Sequence, residues 1–101
     1  MPQPSLKSLQ AAEAVGRLGS LSRAASSLNV TPSAVSHQLR LLEAQLEVTL
    51  FDRTDTGLVP TAKGRLLLPK LTEGFQVISD GLAEISAKPR PLLTVSCGLA
   101  F

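Results

Sequence analysis

Apolar residues recur at helical spacing along most of the chain. Leu6, Leu9, Ala12 and Val15 form the apolar side of a first helix, running from a Ser5 cap to about Arg17. After Gly19, Ser20 caps a second, short helix. Its apolar residues Leu21, Ala24, Ala25 and Leu28 fall at i, i+3, i+4 and i+7. The two alanines leave room for another helix to approach. Asn29 suits the left-handed position that ends a helix, and Val30 is expected to plug the turn. Thr31 caps a third helix, with Pro32 in the first position, where its missing N–H costs nothing. This helix extends to about Glu47, and Val35, Leu39, Leu42 and Leu46 step by 4, 3 and 4 into one buried stripe.

The pattern then changes period. Val48 to Arg53 is rich in β-formers, and Asp55, Thr56 and Gly57 make a turn. Leu58 and Val59 return as a short strand before Pro60 stops the pairing. Thr61 caps a long fourth helix reaching Ala87. In it Leu68, Leu71, Phe75, Ile78, Leu82 and Ile85 step by 3, 4, 3, 4 and 3, a heptad seam. Pro69 inside this helix should kink it or cost about 3 kcal/mol unless tertiary contacts compensate. Gly74 and Gly81 weaken it further. The stretch AKPRP reads as a linker, and Leu93 to Phe101 as a buried strand. The predicted organisation is mainly α. Residues 1–60 form three helices and a hairpin, 61–87 a long helix, and 88–101 a linker with a first strand.

Composition narrows this picture. Of 101 residues, 44% are hydrophobic and only 3% aromatic, so the core must be aliphatic, which favours packed helices. The net charge is +2. Residues 1–65 hold seven Lys/Arg against five Asp/Glu, and the remainder three against three, so the excess lies in the N-terminal part. That is compatible with nucleic acid without demanding it. The single Cys97 excludes an internal disulfide and fits a reducing cytoplasm. No signal peptide or membrane-length apolar run is evident.

Two short helices joined by a tight turn, with small residues on the first and a polar outer face on the second, make a helix-turn-helix; the hairpin makes it winged. The outer face of the third helix carries Ser33, Ser36, His37 and Arg40. Small hydroxyls permit close approach to base edges or phosphates. His37 and Gln38 donate and accept, and Arg40 suits guanine or phosphate. Arg53 in the hairpin would reach flanking backbone or minor groove. Thr61, Lys63 and Arg65 stand where a helix start meets phosphate. From pattern alone the same face also reads as ordinary solvation, and the module as a protein-interaction winged helix with the fourth helix as a dimer handle. Arg23 reads as a surface ion-pair partner. Catalysis is not expected: Ser36 and His37 are helical neighbours pointing about 100° apart, with no third orienting group. His37 and Cys97 lack metal-ligand spacing, so neither metal nor cofactor is predicted.

The segments SRAA at 22–25, VTPSAVSHQLRLLE at 30–43, LFDR at 50–53 and TAKG at 61–64 occur in an order and spacing that resembles LysR-type transcriptional regulators. The resemblance covers residues 5 to about 87, the N-terminal DNA-binding domain and linker helix. It implies a cytoplasmic bacterial regulator of no enzymatic activity that binds double-stranded DNA in sequence-specific fashion. By this resemblance Thr31, Pro32, Ser33, Ser36, His37 and Arg40 match recognition-helix positions, and Arg53 matches the wing arginine. Dimerisation through the linker helix is implied, and often tetramers. The family continues into an effector-binding domain, so the chain is expected to be truncated and to hold no small-molecule site. The sequence departs from the family at two positions. Glu47 replaces a usual Gly after the third helix, which implies a different helix ending. Pro60 replaces a common Leu, which implies a shortened second strand.

Overall fold

The computed structural model describes residues 3–86. The expected linker and strand within 88–101, with Cys97, lie outside them. In order, the elements are α1 (Leu6–Leu18), α2 (Leu21–Leu28), α3 (Pro32–Leu46), β1 (Phe51–Thr54), β2 (Gly57–Pro60) and α4 (Ala62–Ile85). They divide into two compact units, with the boundary between Leu71 and Thr72.

Each of the first three helices starts on a side chain the sequence marks. The hydroxyl of Ser5 accepts the Ser8 N–H at 3.1 Å, that of Ser20 the Arg23 N–H at 3.0 Å, and that of Thr31 the Ala34 N–H at 3.1 Å. Each satisfies a donor that the first helical turn leaves unpaired. The endings are equally local. Gly19 (φ 79°), Asn29 (φ 59°) and Glu47 (φ 57°) all take the left-handed conformation. Glu47 thus ends α3 in a conformation that a Gly adopts readily. The Glu47 and Val48 N–H groups both reach the Glu43 carbonyl, and half-buried Leu46 and Val48 pack against the core. These contacts hold an unfavourable backbone conformation in place.

The core of the N-terminal unit gathers Ala11, Ala12, Ala14 and Val15 from α1, Ala24 and Ala25 from α2, Val35, Leu39 and Leu42 from α3, with Leu50, Phe51 and Leu68. Small residues on α1 and α2 let the three helices pack closely, as expected for Ala24 and Ala25 of α2. Two expectations fail at the edges. Leu6, counted with the apolar side of α1, is 59% exposed; the buried face instead turns through Ser8, whose hydroxyl donates to the Ser5 carbonyl at 2.9 Å. Val30 does not plug its turn, being 48% exposed; its main chain does the work, its N–H closing α2 on the Ala25 carbonyl at 3.0 Å.

The hairpin is antiparallel, with Phe51 opposite Pro60, Arg53 opposite Leu58 and Thr54 opposite Gly57. Its tip is closed by Thr54, whose hydroxyl donates to the Gly57 carbonyl at 2.9 Å. The first strand begins later than expected, at Phe51 instead of Val48, because residues 48–50 spend their backbone groups elsewhere. The Val48 N–H goes to the Glu43 carbonyl, the Leu50 N–H to the Glu43 carboxylate and the Leu50 carbonyl to the Thr61 N–H. β2 runs one residue further than expected and ends at Pro60, which pairs with Phe51. Proline has no N–H to place in a ladder, and the Phe51 N–H opposite is already engaged by Glu43.

Helix α4 continues through Pro69 without a break. Buried Leu68 and half-buried Leu67 and Leu71 pack against the core at that point, the tertiary compensation an interior proline requires. Two glycines admit α4. An added Cβ at Gly16 would lie 2.8 Å from Leu68 Cδ1, and one at Gly64 would collide with the Leu50 carbonyl oxygen. Gly64 is thus the point at which α4 crosses the base of the hairpin.

Candidate nucleic-acid interface

Helix α3 presents two faces because its residues advance by about 100° each. Val35, Leu39 and Leu42 are buried, and Ser33, His37 and Arg40 on the opposite side are exposed, with Ser36 half-buried beside them. A polar face is thereby fixed in direction by the burial of the other. Pro32 holds the first turn, and the Thr31 hydroxyl, besides capping, shares a hydrogen bond with the Ser33 hydroxyl at 3.2 Å. The Arg40 guanidinium donates to the Ser36 hydroxyl at 2.9 Å. That bond draws the long side chain along the helix surface. It leaves Arg40 with further N–H donors in a planar fork, the arrangement suited to base edges or phosphate oxygens. Gln38 departs from this group. It is half-buried and lines a cavity with Lys7, Gln10 and Val30 on the α1 side.

The other sequence-predicted residues stand on different elements. Arg53 is exposed on β1, opposite Leu58. Lys63 is exposed in the first turn of α4. Thr61 precedes that turn, and its hydroxyl is occupied. It donates to the Thr49 carbonyl at 2.6 Å and accepts the Gly64 N–H at 3.1 Å. With its proton engaged, this hydroxyl has none to offer a phosphate oxygen. Arg65 likewise turns back, donating to the Pro60 carbonyl at 2.9 Å. Thr61 and Arg65 therefore fasten α4 to the hairpin.

Periodicity alone gives Glu43 no role. One carboxylate oxygen, Oε2, accepts the Leu50 N–H at 2.7 Å and the Phe51 N–H at 3.2 Å, joining α3 to the hairpin. The available signal was a carboxylate on the flank of a buried stripe, just before a strand whose first N–H groups need partners.

Along α4, Leu68 and Leu71 belong with the N-terminal core, Leu68 because Gly16 leaves space for it. Phe75 is half-buried, while Ile78, Leu82 and Ile85 are 55%, 45% and 82% exposed. Val77, also exposed, lies beside Ile78. Among the described residues no helix is long and apolar enough to cross a membrane.

Comparison with known proteins bears on this arrangement. Residues 6–65 match the family described as "Bacterial regulatory helix-turn-helix protein, lysR family". The transcriptional regulator PerR of Escherichia coli is 43% identical over 88 residues, covering 86% of this chain and 30% of PerR. The transcriptional activator AmpR of Pseudomonas aeruginosa is 47% identical over 83 residues, covering 82% of this chain and 28% of AmpR. The chain thus spans about a third of the length of the curated relatives it matches. Among solved structures, the CbnR DNA-binding domain in its complex with DNA superposes with a TM-score of 0.69 at 27% identity, over 76% of this chain and 88% of that one. With well over half of its residues matched, the chain belongs to the lysR family of bacterial regulatory helix-turn-helix proteins.

Proposed function

We propose that the chain binds double-stranded DNA in sequence-specific fashion as part of a dimeric transcriptional regulator. Helix α3 enters the major groove, and the hairpin lies along the flanking backbone or minor groove. The observation that carries this reading is the outer face of α3, with Ser33, His37 and Arg40 exposed directly opposite a fully buried stripe. The CbnR domain, of like fold, has been seen bound to DNA. Arg40 and His37 read bases or phosphates. Ser33 and Ser36 allow close approach, and Thr31 and Pro32 aim the helix N-terminus, whose dipole favours phosphate. Arg53 and Lys63 supply flanking contacts, and Thr61 contributes by fixing α4 to the hairpin.

Self-association uses Phe75, Ile78, Leu82 and Ile85, apolar side chains at heptad spacing that the chain itself leaves wholly or partly exposed; Leu68 and Leu71 root the seam in the N-terminal unit. A DNA partner places the protein in the bacterial cytoplasm. No catalytic role is assigned, since Ser36 and His37 are helical neighbours that point about 100° apart. Titration with duplex DNA across several salt concentrations tests the reading. Log affinity should fall linearly with log salt, in proportion to the phosphates contacted. Absence of binding at low salt would sink it and leave a protein-interaction module.

A further inference from the structure

The DNA-facing side chains of the N-terminal unit stand on separate elements, so their mutual placement needs a physical link. Between α3 and the hairpin that link is Glu43. Its Oε2 accepts two consecutive main-chain N–H groups, those of Leu50 and Phe51. Bonds to an ionised acceptor are about twice as strong as neutral ones. Leu50 is gripped from the other side as well. Its carbonyl accepts the Thr61 N–H at 2.9 Å, its side chain is 1% exposed, and Gly64 packs against its carbonyl oxygen. Beyond Phe51 the hairpin is a short, closed unit. Thr54 ties its tip, and Arg53 sits two residues from the Glu43 bond. Whatever fixes residues 50 and 51 therefore fixes where Arg53 stands relative to α3.

We infer that Glu43 is a positioning residue for the wing. Through the Leu50 and Phe51 amides its carboxylate sets the place of Arg53 relative to Arg40 and the outer face of α3. It thereby sets the spacing at which the two elements engage a duplex. The inference rests on the DNA-binding reading above. Glu43 itself touches no DNA; it acts through main-chain groups.

Two conservative variants separate reach from charge. Glu43→Asp keeps the charge but withdraws the carboxylate by one methylene from both amides. Glu43→Gln keeps the reach and an oxygen acceptor but removes the charge. Each is combined with Arg53→Ala, and binding to a duplex selected from a random pool by the unaltered chain is followed across a salt series. In the wild-type and Glu43→Gln backgrounds, Arg53→Ala should lower affinity roughly tenfold and reduce the salt slope by about 1. In the Glu43→Asp background it should change neither, because Arg53 is already misplaced. Glu43→Asp alone should reproduce the Arg53→Ala loss. In the free chain, hydrogen exchange of the Leu50 and Phe51 amides should quicken most in Glu43→Asp and less in Glu43→Gln, whose neutral oxygen still reaches both N–H groups, with the Thr61 amide unchanged. This readout needs no DNA. An Arg53→Ala effect undiminished in the Glu43→Asp background overturns the inference, as does a silent Arg53→Ala in the wild type. Failure of the unaltered chain to bind any duplex at low salt overturns the DNA-binding reading instead.

Discussion

The guanidinium of Arg40 donates to the hydroxyl of Ser36 one helical turn earlier, at 2.9 Å. A side chain already held along the helix loses less rotational freedom when it meets a ligand than one ranging through solvent. Arg40→Ala should cost about 1–3 kcal/mol at a selected duplex, the range of a good base contact, while leaving self-association intact. Ser36→Ala should cost less, about 0.5–1.5 kcal/mol, since it removes one hydrogen bond and not the charge. Equilibrium titration on selected and scrambled duplexes checks both. Equal loss on every sequence, with a shallower salt slope, would make Arg40 a phosphate contact and not a base reader.

Gly64 meets the Leu50 carbonyl oxygen at a distance no Cβ could tolerate. The obstacle is backbone, itself bonded to the Thr61 N–H, so it cannot swing aside as a side chain would. Gly64→Ala should therefore destabilise the N-terminal unit by about 1–3 kcal/mol, the usual range for overpacking, despite the better helix propensity of alanine. Gly74→Ala is the control. Nothing lies within 4 Å of a Cβ there. Relief of backbone entropy alone should stabilise by roughly 0.5–1 kcal/mol. Thermal unfolding of the two variants should move in opposite directions. A common direction would discard the crossing as the reason for Gly64.

These residues also show what was legible beforehand. Ser5, Ser20 and Thr31 announce helix starts because a cap bonds only three residues ahead, and Asn29 announces an ending through its own backbone preference. The two faces of α3 follow from periodicity, and with them the grouping of Ser33, Ser36, His37 and Arg40. The links between elements were not legible. Glu43 bonds groups seven and eight residues away, and Gly16 matters only because Leu68 arrives opposite it. Thr61 was placed correctly at the start of α4, but its sequence neighbours give no sign that its proton is committed to Thr49. Leu68 reads as the first residue of a heptad seam, yet the nearer apolar surface is the chain's own core.

Phe75 tests the remainder of that seam. It lies in the C-terminal unit, half-buried, at the heptad position between Leu71 and Ile78. A carboxylate there would be buried against apolar side chains in any helix pair, a cost not repaid without a partner charge. Phe75→Glu should yield monomers in sedimentation equilibrium under conditions where the unaltered chain dimerises. The melting of the N-terminal unit should stay within a few degrees of its original value, because its core does not include Phe75. An unchanged mass would remove α4 from the interface.

Glu47 carries a conformational cost that a single substitution should release. Its φ of 57° lies in the left-handed region, where a Cβ approaches the following carbonyl oxygen and costs about 1–2 kcal/mol. Asn29 adopts nearly the same φ of 59°, but asparagine tolerates it far better. The Glu47 side chain is exposed, and the bonds that end α3 come from the Glu47 and Val48 main chain, which any residue would preserve. Glu47→Gly removes the clash at a loss of unfolded-state restriction of roughly 0.5–1 kcal/mol. The net gain should be about 0.5–1 kcal/mol, raising the melting temperature by several degrees in a domain of this size. Glu47→Ala keeps the Cβ and should gain little. If alanine and glycine stabilise equally, the cost at this position comes from the carboxylate and not from the backbone, and the strain assigned to the end of α3 is discarded.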